Sequence, residues 1–416
     1  MTGAEVKDRA TQRAVDALAS QLRRRQLVGS REAALQTVHL LRKVVAAARF
    51  DTIDQLLETV RLVGKRLAEA QPRENSVGNI VRKVLKLIRD EYAAVTTLEE
   101  AQATLGVPKN SSSREEFFRT GQDPLTGFAS TSSVARFVLK GRPTAVPGHR
   151  SAQSGSETPD TMHSGDVNRK AQSIKPALID AIQEVIDELE TVYENISKNA
   201  RDHIHSDDIV LTVGKSKTVE SFFKAAARDR KFTVIVAETA PSYSGREMAA
   251  LLADAKISTV LVPDSCLYAL MSRVNKVVLG AHAVMANGGM FGISGSLLAA
   301  SAAKDHSTPV IVCTGQFKLT PLWNLHYQYA SVDLGDPEQV LNLSELEYNI
   351  REENVDILNP WFDYVKPELI DVLITNYGDH PPAYVYRYIS WNPLSLVSHA
   401  LDRMVTEMYD EEDNKL

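Results

Sequence analysis

Three short stretches, each following a run of β-branched residues, carry the side chains that could do chemistry. The first reads Leu211-Thr212-Val213-Gly214-Lys215-Ser216-Lys217-Thr218. Gly214-Lys215-Ser216 looks like the tail of a phosphate loop, where backbone N–H groups and a lysine cradle phosphate oxygens. That loop also needs a glycine at the position of Ile209, which lies inside a strand-like run. The nucleotide-hydrolysis signature therefore fails, and capping of the next helix by Ser216 and Thr218 is the preferred reading. The second stretch is Ala237-Glu238-Thr239-Ala240-Pro241-Ser242-Tyr243-Ser244-Gly245-Arg246. Its Glu238 is either a catalytic acid or a helix-capping carboxylate. The third runs from Gly280 through Ala281, His282, Asn287, Gly288 and Gly289 to Gly292. Its small residues imply tight turns and close approach of backbones. A lone His282 is a weak candidate for a base. His203 and His205 have no further ligand in register, so a metal site there is improbable. No Ser-His-Asp order, His-Glu-x-x-His or paired-cysteine pattern occurs.

These stretches need elements to hold them. From Lys7 to Leu98 apolar residues recur at helical spacing: Val15, Leu18 and Leu22; Leu35, Val38 and Leu41; Ile53, Leu56, Leu57, Val60 and Val63, ending near Gly64; then a fourth stripe opening at Asn79. Such stripes predict amphipathic helices packed on one another. From Pro108 to Asp166 nearly half the residues are Ser, Thr, Gly or Pro, so too little apolar surface is present to offset the entropy of ordering. A helix resumes over 168–200. Short strands are then expected at Ile209–Val213, Phe232–Val236, Thr259–Val262, Lys276–Leu279, Val310–Cys313 and Asp371–Thr375, with helices between them near Val219–Arg228, Arg246–Ala255, Ser265–Arg273 and Ser296–Ala303. Apolar strands separated by crossover helices specify a Rossmann-like, doubly wound parallel sheet. Functional loops then gather at the strands' carboxyl ends. The fold class is α/β: a helical domain over 1–107, a disordered insertion over 108–167, a long helix over 168–205, the Rossmann-like domain over 206–408 and an acidic tail over 409–416.

With 416 residues, 44% hydrophobic and 24% charged, the chain suits two or three globular domains. Lys and Arg number 47 against 53 Asp and Glu, a net charge of -6, which lacks the footprint of a dedicated nucleic-acid binder. Two distant cysteines, Cys266 and Cys313, argue against a disulfide scaffold or structural zinc and fit a reducing compartment. The charged N-terminal stretch lacks the apolar core of a secretory signal, and no apolar run reaches a membrane span. A cytosolic location is expected.

Four separated motifs carry a resemblance. They are Gly78 to Arg89, Met271 to Gly280 continuing into Ala286-Asn287-Gly288-Gly289, His306 to Cys313, and Phe362 to Ile370. Together they resemble the regulatory subunits (alpha, beta and delta) of the guanine nucleotide exchange factor for eukaryotic translation initiation factor two, most nearly the beta type. The wider family includes isomerases of methylthioribose phosphate and ribose bisphosphate. The resemblance implies that the enzymes' proton-transfer Cys at the first strand end is replaced within Thr212-Val213-Gly214. Their Gly-Ala-Asp acid becomes Gly280-Ala281-His282. Their phosphate-binding Arg becomes Ala240, and their Asn-Lys pair becomes Gly292-Ile293. Isomerisation needs an acid, a base and a cation around one substrate, so the resemblance implies a scaffold kept and a chemistry lost.

What it further implies is a non-catalytic subunit, without cofactor, that assembles with alpha, gamma, delta and epsilon subunits into a decamer. Its helical domain would face the alpha subunit of the initiation factor, whose phosphorylation turns a substrate into an inhibitor. Gly214, Lys215, Ser216, Glu238, His282, Asn287 and Gly288 would mark a degenerate ligand pocket. Arg23, Arg24, Arg42, Lys43, Arg82 and Lys83 are the basic candidates for partner binding. An active sugar-phosphate isomerase, a sensor that binds without converting, and the sister delta subunit are the alternatives.

Overall fold

The structure is a computed structural model that describes residues 9–50, 52–104, 163–322, 333–341 and 356–385. The expected insertion lies outside these residues except for its last five positions, and the acidic tail lies outside them entirely. The described chain forms two compact units.

The first unit comprises residues up to Pro72 and Ile80–Asp187. Its helices are α1 (Arg9–Arg23), α2 (Ser30–Ala47), α3 (Ile53–Ala70), most of α4 (Asn75–Thr104) and the first part of α5 (His163–Lys198). The apolar stripes turn inward: Leu22, Leu41, Leu56, Leu67, Ile80, Ile88, Leu178, Ile182 and Ile186 are fully buried. Hydrophobic burial of this kind, rather than helix propensity, is what stabilises such helices.

Three sequence expectations shift here. α3 does not end near Gly64 but continues to Ala70. The glycine is there for packing, since a Cβ on it would lie 2.4 Å from Val81 Cγ1. α4 opens at Asn75 rather than Asn79, and α5 begins at His163 rather than 168.

The second unit holds Arg73–Asn79 and residues from Glu188 onward. After α6 (Ala200–His203) come β1 (Ile209–Val213), α7 (Lys217–Ala226), β2 (Thr233–Ala237), α8 (Ser244–Asp254) and β3 (Ser258–Val262). A single 3-10 turn, Asp264–Cys266, leads into the short α9 (Leu267–Met271), where one continuous helix was expected. Then follow β4 (Lys276–Val284), β5 (Met290–Ile293), α10 (Ser296–Asp305), β6 (Val310–Cys313), β7 (Phe362–Val365), β8 (Val372–Thr375) and β9 (Gly378–His380). The main sheet has the order β3-β2-β1-β4-β6-β8-β9, parallel except for β9. Strand order reverses between β1 and β4, the crevice where open α/β sheets place their functional loops.

β4 is longer than its apolar run suggests. Val277–Gly280 pair in parallel with β6, while Ala281–Val284 pair antiparallel with β5, which in turn pairs with β7. The register shifts between Ala281 and Ala283, leaving His282 as the extra residue of a bulge. This antiparallel extension is absent from the sequence expectation. A buried core of Leu211, Val213, Leu267, Met271, Val277, Leu279, Val284, Met290 and Val312 underlies the strand ends.

The Gly64 contact gives the first prediction. Alanine is the better helix former by about 1 kcal/mol, yet overpacking against Val81 should dominate. Gly64→Ala is expected to lower stability by about 1–3 kcal/mol in urea unfolding, and Val81→Ala in the same chain should recover part of the loss.

Candidate functional site

At the end of β1, Gly214 has φ +62, and a Cβ there would press on the Ile293 side chain at 2.9 Å. Only glycine accepts both conditions cheaply. Ser216 takes an extended conformation before α7, and its Oγ accepts the Val219 N–H at 3.5 Å. The capping reading of Ser216 therefore holds. Lys215 Nζ donates to Glu247 Oε2 at 2.8 Å across the surface. A partly exposed pair of this kind contributes little stability.

At the end of β2, Glu238 Oε2 accepts Arg246 Nη2 at 2.9 Å, and the guanidinium stands 3.9 Å above the Tyr243 ring. Glu238 is thus committed to an ion pair. Beside it, the N–H groups of Thr239 and Ala240 both donate to the Asp264 carboxylate, at 3.0 and 2.7 Å. Asp264 sits just past β3 and fixes this loop from the neighbouring strand end.

Gly280 on β4 leaves room for Ser216, whose Oγ would lie 2.4 Å from a Cβ there. The strand ends of β1 and β4 therefore meet, as the switch point requires. His282 stacks on Phe362 with ring centroids 4.1 Å apart and planes 16° apart. Its Nε2 lies 3.3 Å from the Arg73 carbonyl and 3.9 Å from Glu74 Oε2. Ser76 Oγ donates to Glu74 Oε1 at 2.6 Å, and both residues are buried.

After β6, Lys318 Nζ donates to the Ala281 carbonyl at 2.7 Å. The Lys318 stem is partly exposed, but its ammonium is packed in by protein. That burial pulls its pKa down to about 8, against the opposing pull of the Glu74 carboxylate.

Asn287 and Gly288 form a turn. Asn287 Oδ1 accepts the Gly289 N–H at 3.0 Å, and its amide donates to Tyr364 Oη at 2.7 Å. Gly288 has φ +84 and would clash with the Pro382 carbonyl if it bore a Cβ. These residues fix the β4–β5 turn against β7. Asp363 of β7 accepts the Gly295 and Leu297 N–H groups at 2.6 and 3.3 Å, closing the start of α10. Burial pushes its carboxyl above the usual range while those bonds pull the other way.

The structure thus brings Gly214, Ser216, Gly280 and His282 to neighbouring strand ends. It places Glu238 with Arg246, Lys215 with Glu247, and Asn287 with Tyr364. Arg23, Arg24, Arg42, Lys43, Arg82 and Lys83 all lie in the other unit. Arg23, Arg24 and Lys43 are exposed, and the other three are half-buried. Sequence reading missed Glu74, Ser76, Asp264 and Lys318. The signal for Lys318 was its place directly after a strand end, in Gln316-Phe317-Lys318. Glu74, ahead of a helix, gave no such signal. Among the described residues no group of His, Cys, Asp and Glu could hold a metal ion. No described helix is long and apolar enough to cross a membrane.

The buried amine makes a pH prediction. A lysine that titrates near 8 in the fold and near 10.5 when unfolded binds fewer protons in the native state. Stability must then rise with pH between those values, and the cost is largest below them. Lys318→Met is expected to remove that rise, of order 2–4 kcal/mol, from the difference between wild-type and variant urea unfolding at pH 7.5 and pH 10.

The model of the Initiation factor 2 subunit family matches residues 26–382. The chain is 39% identical over 385 residues to the translation initiation factor eIF2B subunit beta of Schizosaccharomyces pombe, covering 91% of this chain and 95% of that protein. It is 33% identical over 216 residues to the ribose 1,5-bisphosphate isomerase of Pyrococcus furiosus, covering 52% of this chain and 66% of the enzyme. A chain in the crystal structure of the tetrameric eIF2B-beta2-delta2 complex from C. thermophilum superimposes with a TM-score of 0.61 at 28% identity, covering 91% and 93% of the two chains. Strand-end motifs, switch-point geometry and a match over most of its length place the chain in the Initiation factor 2 subunit family.

Proposed function

We propose that the chain is a non-catalytic regulatory subunit, of the beta type, in the guanine nucleotide exchange factor for translation initiation factor two. One observation carries this reading: the side chains at the strand ends are spent on one another. Glu238 is paired with Arg246, Ser216 caps α7, and His282 is stacked on Phe362. No thiol stands at the end of β1, and the position of the expected acid holds His282. Proton transfer on a sugar phosphate needs an acid and a base within hydrogen-bond reach of the reacting atoms, and these paired side chains do not supply that set. A likeness extending along the beta subunit from Schizosaccharomyces pombe, against half the chain for the isomerase, points the same way.

The sheet unit then serves as a docking platform for sister subunits of the same factor. The structural neighbour, a chain of the tetrameric eIF2B-beta2-delta2 complex, supports a delta-type chain as one of them. Alpha, gamma and epsilon subunits complete the proposed assembly. The helical unit meets the alpha subunit of the initiation factor, with Arg23, Arg24, Arg42, Lys43, Arg82 and Lys83 as the candidate basic side chains for a phosphate. A phosphoserine adds nearly two negative charges and strong acceptors, which arginines bind with charge-assisted hydrogen bonds.

Two measurements test this. Tagged chain purified from its native cells should bring down the other exchange-factor subunits and raise GDP release from the initiation factor. It should give no turnover of ribose 1,5-bisphosphate or methylthioribose 1-phosphate. Recovery of the chain alone, or isomerase turnover, would sink the proposal. Within the complex, Arg23→Glu with Arg24→Glu should weaken inhibition by the phosphorylated factor by about 3- to 10-fold, the loss of one or two charge-assisted contacts.

A further inference from the structure

Lys318 and Glu74 stand out once the strand-end residues are accounted for. An ammonium has three donors, and the hydrogen bond that the structure gives Lys318 Nζ goes to the Ala281 carbonyl. The carboxylate whose field acts on it, without a direct ion pair, is Glu74, only 8% exposed. Glu74 belongs to the segment Arg73–Asn79, which packs with the sheet unit. It is held by the Ser76 hydroxyl at 2.6 Å and the Ser76 N–H at 3.4 Å, ahead of the 30-residue helix α4. On its other oxygen it faces His282 Nε2 at 3.9 Å. The Ser76 hydroxyl and the first turn of a long helix hold this carboxylate, the His282 imidazole faces it, and the Lys318 ammonium is bonded to the carbonyl of Ala281, the residue before His282. The hydroxyl, the helix start and the ammonium favour negative charge.

We propose that Glu74 is a built-in counter-anion, which fills the anion-favouring ground between Lys318, His282 and Ser76 and thereby excludes small phosphate esters from the strand ends. A phosphorylated molecule brought there would set its charge against that of Glu74 in surroundings poor in water, where like charges repel strongly. Removing the carboxylate reverses the balance: Lys318 then lacks its counter-charge, and an anion from solution supplies it. The inference rests on the reading of this chain as one that has lost sugar-phosphate chemistry, and it supplies a physical means by which that loss is enforced.

The test titrates the full-length chain with inorganic phosphate and, separately, with ribose 5-phosphate at pH 7.5, by calorimetry. Wild type should show no saturable binding. Glu74→Gln, which keeps size and hydrogen bonding but not charge, should bind at least about tenfold more tightly than wild type. Glu74→Gln with Lys318→Met should lose that gain, which separates a Lys318-dependent site from nonspecific attraction. A carboxylate that merely caps α4 would, on becoming Gln, lower thermal stability without creating phosphate binding. A folded Glu74→Gln chain that binds no better than wild type therefore overturns the inference, as does wild type binding equally well. Should Glu74→Gln not fold, Ser76→Ala, which loosens the carboxylate but keeps the charge, is expected to gain about threefold, and no gain in that folded variant overturns the inference too. Isomerase turnover by wild type would instead sink the functional reading itself, whereas a silent Glu74→Gln leaves that reading intact.

Discussion

The change of partner along β4 is the constraint from which the other features follow. The strand pairs in parallel with β1 at Lys276–Val277 and with β6 up to Gly280; from Ala281 it pairs with β5. Parallel and antiparallel ladders differ in hydrogen-bond pattern, and where this strand changes from one to the other the register shifts at His282. Because side chains alternate across a pleat, one extra residue re-aims its neighbours. The bulge frees the Ala281 carbonyl for Lys318 and lays the imidazole on Phe362. The Asn287–Gly288 turn and its anchorage on Tyr364 and Pro382 then fix where β5 can run.

Electrostatics at these ends follows from the same geometry. A strand end leaves backbone donors and acceptors unpaired, and buried ones must find partners. Here the partners are the chain's own side chains: Asp264 for Thr239 and Ala240, Asp363 for Gly295 and Leu297, Asn287 for Gly289. These bonds order the loops and leave their N–H groups already partnered.

The architecture was legible where local pattern and tertiary role coincide. β1 and β6 fall on their expected residues because Ile209–Val213 and Val310–Cys313 are uninterrupted apolar runs buried in a parallel sheet. β5 and β7 escaped notice because each has four residues, one carries a glycine and the other an aspartate, and each owes its existence to the other. Gly64 misled for a related reason: a glycine late in a helical stripe reads as a stop, whereas here it makes room for Val81. At the site, the capping role of Ser216 could be read from its place between strand and helix. The Glu74–His282–Lys318 relation could not, because its members lie far apart in sequence and no spacing rule links them.

Loss of catalysis does not by itself explain why so polar a cluster persists in a chain that could have filled the space with leucine. A buried ion pair rarely stabilises more than a hydrophobic replacement would, whereas removing one member is costly because the other is left uncompensated. Glu74 and Lys318 make no direct ion pair, but the carboxylate's field acts on the buried ammonium, so replacing the glutamate would leave that ammonium less compensated. Glu74 also links Arg73–Asn79 to the β4 bulge, since it is held by Ser76 and faces His282, while Lys318 is held at the adjacent Ala281 carbonyl. In the proposed role of the sheet unit as a docking platform, a fixed outline at the β4 bulge matters more than a further kilocalorie of stability.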